Sequence, residues 1–465
     1  MKRLLPVLAL GIITLLRCAV AQSTANAVIP SDSEIHQILV DRVDKEHQSV
    51  GIVVGIIEPA GRRVVAYGSL DKGDKRSLDG DTVFEIGSIT KVFTSLLLAD
   101  MVQRGEVALT DPVSKYLPEG VKMPERGGRQ ITLQDLATHT SGLPRLPSNL
   151  PQKDPANPYA DYSVEQLYQF LSTYQLTRDI GSQYEYSNLG GGLLGFVLAR
   201  RAGVDYETLV RTRICEPLGM KSTSITLSAD LKSRFAVGHD QALATASYWD
   251  LPTLAGAGAL RSTANDLLAF LAANLGYTRS PLAPAMAAML AVRRPTGVSG
   301  LEIALGWHVL TKDSRETFWH NGGTGGFRTF IAFDPKSRVG VVALSNTSTA
   351  IGVDDIGRHM LDASFPLAQP PKEHSQIAVD PKLFDSYVGR YELAPTFILT
   401  VTREGNQLFV QATGQPKFEV FPESEKDYFL KVVDAQITFE TDSQGKVTGL
   451  TLHQNGMNKL AMRIE

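Results

Sequence analysis

Two β-rich stretches stand far apart in the chain and are separated by a region of mostly helical and loop-like patterns. The first stretch, residues 50–67, is rich in Val and Ile around a Pro-Ala-Gly turn at 59–61. The second contains apolar runs at 317–320, 326–333 and 339–344. Strands at both ends with helices between them favour one antiparallel sheet made from distant segments. The sequence therefore predicts an α+β fold, in which an antiparallel sheet is flanked by helices, a mostly helical region is inserted, and catalytic groups lie in the seam.

The sequence pattern changes near Asp380, where short alternating runs replace the longer helical patterns. Gly-containing turns, such as those at 404–406 and 443–445, divide these runs. Short strands separated by regular turns are typical of a small all-β barrel or sandwich. We therefore expect a main domain over residues 30–366, a linker over 367–379 and a C-terminal β-barrel domain over 380–465.

Charge and cysteine content exclude several classes of function. The 465 residues include 46 Lys and Arg and 49 Asp and Glu, so no large field directs the chain to nucleic acid or to an anionic membrane. Once a leader containing Cys18 is removed, Cys215 is the one cysteine left, and an internal disulfide cannot form. No His-Glu-x-x-His motif occurs and the nine histidines are scattered, so neither a metal nor another cofactor is expected.

The first residues have the pattern of a secretory signal. Lys2 and Arg3 precede an apolar run over residues 4–16, and Ala-Val-Ala at 19–21 provides small residues for cleavage. The alternative is a membrane anchor, but the run is shorter than the roughly 20 apolar residues of a spanning helix. We therefore expect residues 1–21 to be removed and the protein to be exported, to the bacterial periplasm.

A serine and a lysine three residues apart open a helix with an apolar face. Ser88 and Lys91 lie on one side of this helix, because residues three apart are neighbours on a helix surface. A serine hydroxyl becomes an effective nucleophile when a base takes its proton, and a lysine with a lowered pKa can do so. The same spacing at 69–72 and 443–446 opens no such helix. The alternative for Ser88 is an ordinary helix cap beside a surface lysine.

Tyr186 and Asn188 form the only Tyr-x-Asn sequence in the chain, and a glycine-rich segment follows them at 189–193. A tyrosine near a lysine loses its proton more easily and can act as a general base. An asparagine amide can both donate to and accept from a substrate amide. The pair is therefore suited to acyl transfer, and the alternative is a buried tyrosine beside a turn asparagine.

A third element is glycine-rich and follows an apolar strand. It consists of His320, Asn321, Gly322 and Gly323, with Thr-Gly-Gly following at 324–326. Glycines let a substrate approach the main chain, and a strand N–H can pair with that of Ser88 to form an oxyanion hole. No Gly-Lys-Ser or Gly-Lys-Thr follows, which argues against a phosphate-binding loop. We take these four residues as substrate-binding, and the alternative is a hairpin turn with a core histidine.

The three elements, in this order, resemble the serine β-lactamase and penicillin-binding-protein superfamily. Segments 138–144, 216–220 and 258–266 are similar to the class C β-lactamase-like branch, with its D-alanyl carboxypeptidase and esterase relatives. The resemblance covers about residues 35–361. In this pattern the His-Thr-Ser-Gly turn that contains His139 is structural.

This resemblance implies a role for each matched residue. Ser88 is the acylated nucleophile, Lys91 its base, and Tyr186 the proton shuttle for the leaving group and the deacylating water. Asn188 binds the substrate amide, and the N–H groups of Ser88 and Gly323 form the oxyanion hole. The implied partner is a small molecule or a peptidoglycan peptide, with an association with the cell wall.

One departure from the family pattern affects the expected substrate. The third motif of the family begins with Lys followed by Thr or Ser and Gly, whereas this chain has His320 and Asn321 there. An imidazole is only partly charged near neutral pH, so it holds a carboxylate less firmly than an ammonium does. We therefore predict a serine hydrolase of β-lactams or D-amino-acid amides and esters. The alternatives are a D-alanyl-D-alanine carboxypeptidase or esterase, and a penicillin-binding module with slow turnover.

Overall fold

The computed structural model describes residues 29–464, apart from 152, 370–373, 395–396, 433–434 and 455–456. The chain divides into two compact units between Ala368 and Gln369. The expected signal, residues 1–21, lies outside the described residues. Within the part of the chain that is described, no helix is long and apolar enough to cross a membrane.

The first unit contains one large antiparallel sheet and two short strand pairs. Its strands are β1 (Gly51–Glu58), β2 (Gly61–Gly68), β3 (Phe84–Glu85), β4 (Glu125–Arg126), β5 (Arg129–Gln130), β6 (Arg261–Ser262), β7 (Arg294–Pro295), β8 (Leu301–Ile303), β9 (His308–Lys312), β10 (Arg315–Gly323), β11 (Arg328–Asp334) and β12 (Val339–Ser345). The eight-stranded sheet has the order β2-β1-β12-β11-β10-β9-β8-β7. Val54 of β1 lies opposite Ala343 of β12, which confirms a sheet built from distant segments.

Most helices of this unit lie between β2 and β7 in the chain, as the predicted helical insertion requires. The helices are α1 (Asp32–Val40), α2 (Thr90–Gln103), α3 (Leu133–Ala137), α4 (Val164–Thr173), α5 (Asn188–Ala202), α6 (Tyr206–Val210), α7 (Glu216–Leu218), α8 (Ala229–Ser233), α9 (Ala264–Asn274), α10 (Ala283–Ala291) and α11 (Asp354–Leu361). Ser31 caps α1 by accepting from Glu34 N, and the Glu34 carboxylate accepts from Ser31 N. Together these two bonds form a capping box.

Strand β1 is buried on both faces, and its alternating side chains enter two separate apolar cores. Ile52 and Val54 lie in one core with Ile356 of α11. Val53 and Ile57 lie in the other core, with residues of the helical region. Because neighbouring strand residues point to opposite faces, covering both faces requires a continuous apolar run, which is what β1 has.

Helix α2 is buried on all sides from Thr90 to Met101. The sequence predicts an amphipathic helix here, and the structure differs because α3, α5, α6 and α10 surround it. Phe93 of α2 stacks on Phe270 of α9, with ring centroids 4.7 Å apart. A polar side chain on this helix is therefore shielded from water, which is the setting of Lys91.

The second unit is a closed antiparallel barrel with its strands in sequential order. A short helix, α12 (Phe384–Tyr387), precedes β13 (Gly389–Ala394), β14 (Phe397–Glu404), β15 (Gln407–Ala412), β16 (Lys417–Pro422), β17 (Asp427–Phe429), β18 (Ala435–Thr441), β19 (Val447–Gln454) and β20 (Met457–Arg463). Tyr387 stacks on Phe439 with ring centroids 3.9 Å apart, within an apolar core that belongs to this unit. The predicted C-terminal β-barrel is confirmed.

We expect Val53→Ala to lower the free energy of unfolding of the first unit by about 2 kcal/mol, because two buried methyl groups are lost and leave a small cavity. Urea unfolding followed by tryptophan fluorescence measures this unit alone, since all three tryptophans, Trp249, Trp307 and Trp319, lie in it. Val298→Ala is the matched control, because Val298 is 62% exposed. An equal effect of the two substitutions would contradict the two-core description of β1.

Candidate active site

Ser88 lies in a single turn of 3-10 helix, Gly87–Ile89, between β3 and α2. Gly87 has a φ of +50°, a conformation that residues with side chains rarely adopt. A Cβ on Gly87 would also lie 2.7 Å from the Gly323 nitrogen at the end of β10. Glycine at position 87 therefore lets the Ser88 turn approach β10.

The Lys91 amine lies one helical turn beyond Ser88 and contacts three oxygens. Its Nζ is 3.1 Å from Ser88 Oγ, 2.9 Å from Asn188 Oδ1 and 2.6 Å from the Ala257 carbonyl. The side chain is buried, and burial, followed by the positive charge of Arg145, lowers the pKa of Lys91 well below its usual value.

A neutral amine fits these contacts. The amide oxygen of Asn188 and the carbonyl of Ala257 can only accept hydrogen bonds, so they take two N–H groups of the amine. In the neutral form the third position is a lone pair, and it is available to the Ser88 hydroxyl. The lowered pKa favours this neutral form, in which Lys91 can act as a base for Ser88.

Tyr186 lies beside this pair as a neutral phenol. Lys91 Nζ is 4.9 Å from the centroid of its ring, and the ring of His139 lies 4.6 Å away. Burial raises the pKa of Tyr186, although a hydrogen bond with Ser88 acts in the opposite direction. Easier loss of the Tyr186 proton beside a lysine is predicted from the sequence, and the structure differs because burial of the phenol outweighs its favourable contacts.

Asn188 is the first residue of α5 and uses both ends of its side-chain amide. Its Oδ1 accepts from Lys91, and its Nδ2 donates to the Tyr159 hydroxyl at 3.0 Å. Ser187 caps the helix by accepting from Gly190 N at 2.8 Å. The helix start thus fixes Asn188 against the Lys91 amine.

His320 faces the same cluster from β10 and is fully buried. Its ring centroid is 6.2 Å from that of Tyr186, and its Nδ1 is 2.6 Å from the Asn321 carbonyl. Among the described residues, Nε2 has no hydrogen-bond partner. Burial, followed by the charge of a protonated His308, lowers the pKa of His320 well below its usual value. The imidazole is therefore neutral near pH 7, which differs from the partial charge predicted from the sequence.

Asn321 points away from this cluster, because alternate strand residues face opposite sides of a sheet. Its side chain is exposed, and its Nδ2 donates to Asp354 Oδ2 at 2.6 Å. The Asn321 side chain therefore contacts the start of α11 and not the cluster. The predicted residues that the structure brings together are Ser88, Lys91, Tyr186, Asn188 and His320.

The main chain of β10 passes the Ser88 turn at Gly322 and Gly323. A Cβ on Gly322 would lie 2.0 Å from the Ile86 carbonyl oxygen, so a larger residue does not fit. Thr329 Oγ1 of β11 donates to the same oxygen at 3.0 Å. Because β10 lies this close to the Ser88 turn, the main-chain N–H groups of Ser88 and Gly323 could both donate to one substrate oxygen.

Several site residues have little or no signal in the sequence. Ala257 contributes a main-chain carbonyl, which any residue could provide. His308 lies behind His320, with ring centroids 5.3 Å apart, and burial lowers its pKa to about 4. Arg145 directly follows the segment at 138–144, and its guanidinium lies 5.1 Å from the Tyr186 ring centroid. Residue type alone does not identify these three residues as part of the site, because their roles depend on tertiary contacts.

Other reactive groups are not placed for chemistry. Within residues 29–464, excluding the undescribed gaps, no group of three or more His, Cys, Asp or Glu side chains could hold a metal ion. The Cys215 thiol is buried, and burial raises its pKa to about 12. A thiolate is the reactive form, so Cys215 is a packing residue.

Comparison with known families agrees with this geometry. A family model described as Beta-lactamase matches residues 37–363. The chain belongs to the Beta-lactamase family. The prediction of a serine hydrolase of the β-lactamase-like type is confirmed. Residues 373–463 match a second model, a domain of unknown function named DUF3471.

Relatives with established names cover one or both units. D-alanyl-D-alanine-carboxypeptidase/endopeptidase AmpH of Escherichia coli is 33% identical over 71% of this chain and 89% of its own length. Penicillin-binding protein 4* of Bacillus subtilis is 24% identical over 92% of this chain and 98% of its own length. The solved β-lactamase/D-alanine carboxypeptidase of Yersinia pestis is 27% identical, with a TM-score of 0.59, over 69% of this chain and 93% of its own.

The buried Lys91 predicts how stability depends on pH. An unfolded lysine has a pKa near 10.4 and the folded pKa is lower, so unfolding takes up a proton between the two values. The free energy of unfolding therefore rises with pH in this window, by up to about 1.4 kcal/mol per pH unit. Between pH 8 and 9.5, we expect Lys91→Met to have a smaller slope than the wild type in urea unfolding experiments. Lys232→Met, at an exposed site on α8, should keep the wild-type slope, and a loss of slope there would contradict the assignment to Lys91.

Proposed function

We propose that this chain cleaves D-alanyl amide bonds through an acyl-enzyme on Ser88 and takes β-lactams as slow substrates. The observation that carries the proposal is the buried Lys91 amine, 3.1 Å from Ser88 Oγ and held by two groups that can only accept. The relatives named as D-alanyl-D-alanine carboxypeptidase and penicillin-binding protein support this substrate class.

Acylation begins when the Ser88 hydroxyl gives its proton to Lys91 and Oγ attacks the substrate carbonyl carbon. The new C–O bond forms as the carbonyl π electrons move to oxygen, where the N–H groups of Ser88 and Gly323 stabilise the charge. When the C–N bond breaks, Tyr186 donates its proton to the leaving nitrogen and is reprotonated by Lys91. The raised pKa of Tyr186 keeps the phenol protonated for this step.

Deacylation uses the same groups in the reverse sense. A water molecule gives a proton to Lys91 through Tyr186, and its oxygen attacks the acyl carbon. As the C–Oγ bond breaks, Oγ takes the proton from Lys91, and Ser88 and the neutral amine are restored. One oxyanion site therefore serves both chemical steps.

The neutral His320 decides which leaving groups are favoured. The family motif has a lysine at this position, and an ammonium there would attract a carboxylate on the leaving side of the scissile bond. His320 is buried and its pKa is lowered, so it provides no such charge. We therefore infer that the enzyme has little preference for leaving groups that carry a free carboxylate. Penicillins are substrates of this kind, because their carboxylate lies on the leaving side of the scissile bond.

We also propose that the chain acts outside the cytoplasm on cell-wall peptides and associates with the cell wall. The N-terminal charge and apolar pattern over residues 1–21 supports export. The name of the Escherichia coli relative, a D-alanyl-D-alanine-carboxypeptidase/endopeptidase, supports a peptide substrate.

We expect intact-protein mass spectrometry to detect a penicilloyl adduct on the wild type after exposure to benzylpenicillin. Ser88→Ala should form no adduct and release no D-alanine from an acyl-D-alanyl-D-alanine peptide. Ser141→Ala is a control for loss of a buried serine near the site and should keep both activities. An adduct that persists in Ser88→Ala would contradict the assignment, and a stable wild-type adduct without peptide turnover would favour a binding module instead.

A lysine at position 320 should restore attraction for a leaving-side carboxylate. We expect His320→Lys to raise kcat/KM for benzylpenicillin about tenfold relative to kcat/KM for a neutral acyl ester, which corresponds to about 1.4 kcal/mol. Asn321→Lys is the matched control, since its side chain lies on the α11 side of β10. If both variants raise the ratio equally, the effect arises from net charge and the proposed role of position 320 is wrong.

A further inference from the structure

The main chain of Arg145 is hydrogen-bonded to the start of α5. Its carbonyl accepts from Asn188 N at 3.0 Å and from Leu189 N at 3.2 Å. The neighbouring Pro144 carbonyl accepts from Ser187 Oγ at 2.6 Å. The position of Arg145 is therefore set by the same residues that place Asn188 in the active site.

The Arg145 side chain presents an unpaired positive charge at this site. It is exposed, and its guanidinium lies 5.1 Å from the centroid of the Tyr186 ring. No carboxylate of the described residues pairs with it, whereas Arg178 pairs with Glu185. Because burial lowers the pKa of Lys91, the permanent charge beside Tyr186 is that of Arg145.

The charge of Arg145 acts on Tyr186 and on Tyr159, the partner of Asn188. It opposes the burial that raises the pKa of Tyr159, whose hydroxyl accepts from Asn188 Nδ2. The Tyr159 ring in turn lies 5.5 Å from that of Trp249. Arg145 is thus tied to the Asn188 end of the site by its main chain, whereas His320 lies on β10 beside His308.

We propose that Arg145 binds a carboxylate on the acyl-donor part of the substrate, and that the enzyme prefers anionic donors. This inference rests on the proposed function and on the role that the resemblance implies for Asn188, binding of the substrate amide. A guanidinium offers paired N–H groups that match a carboxylate, and that of Arg145 lies 5.1 Å from the Tyr186 ring centroid. The substrate class is a D-alanyl peptide with a free carboxylate N-terminal to the scissile bond.

Three peptides separate a donor-side charge from a leaving-side charge. Succinyl-D-alanyl-D-alaninamide has its carboxylate on the donor side, succinamoyl-D-alanyl-D-alanine has it on the leaving side, and succinamoyl-D-alanyl-D-alaninamide has neither. Calorimetric titration of the Ser88→Ala protein measures binding without turnover. We expect Arg145→Gln in this background to raise the Kd of the succinyl peptide about tenfold and to leave the other two within about twofold.

Two further variants serve as controls. Arg145→Lys keeps the charge without the paired N–H groups and should give an intermediate Kd for the succinyl peptide. Arg200→Gln removes another exposed arginine at the far end of α5, roughly 18 Å along the helix, and should change none of the three Kd values.

The outcomes distinguish this inference from the proposed function. Equal weakening of all three peptides, weakening confined to the leaving-side carboxylate, or no change overturns the role of Arg145. Absence of binding of any peptide by the Ser88→Ala protein overturns it as well. If binding follows the expected pattern but the wild type releases neither D-alanine nor D-alaninamide, the role of Arg145 stands and the proposed hydrolysis is wrong.

Discussion

The rest of the site depends on the hydrogen bonds of the buried Lys91 amine. Its two acceptors come from different parts of the chain, Asn188 at the start of α5 and Ala257 in a short 3-10 turn, while Ser88 precedes α2. An amine can be a base only if its pKa is low, and burial lowers it. The chain must therefore enclose α2 on all sides, and the closed packing of the helical region is a requirement of the chemistry.

This enclosure has a cost that the remaining groups of the site offset. A charged lysine in an apolar interior is strongly unfavourable, so burial and the charge of Arg145 favour the neutral amine of Lys91. Tyr186, His308 and His320 are likewise uncharged, because burial shifts each pKa away from the charged form. A cluster of neutral groups packs closely without mutual repulsion, and protons can then move through it without a buried charge at rest.

The sequence predicts the fold and the central residues of the site, but not their electrostatics. Apolar runs and turn residues are local signals, so the distant strands of the sheet and the C-terminal barrel could both be predicted. The motifs of Ser88 and Tyr186 are local as well. The complete burial of α2, the carbonyl of Ala257 and the neutral state of His320 arise from residues far apart in the chain, and none of them follows from residue type alone.

The replacement of a motif lysine by His320 changes where the site can recognise substrate charge. A cation beside the leaving group attracts substrates by the part that departs after acylation. Here that position is neutral, and the permanent charge lies on Arg145, on the side of Asn188. Binding energy on the donor side persists through the acyl-enzyme, because the donor stays attached to Ser88. If Arg145 binds the donor as proposed, the site selects its substrate by the peptide that stays attached to Ser88 rather than by the group that departs.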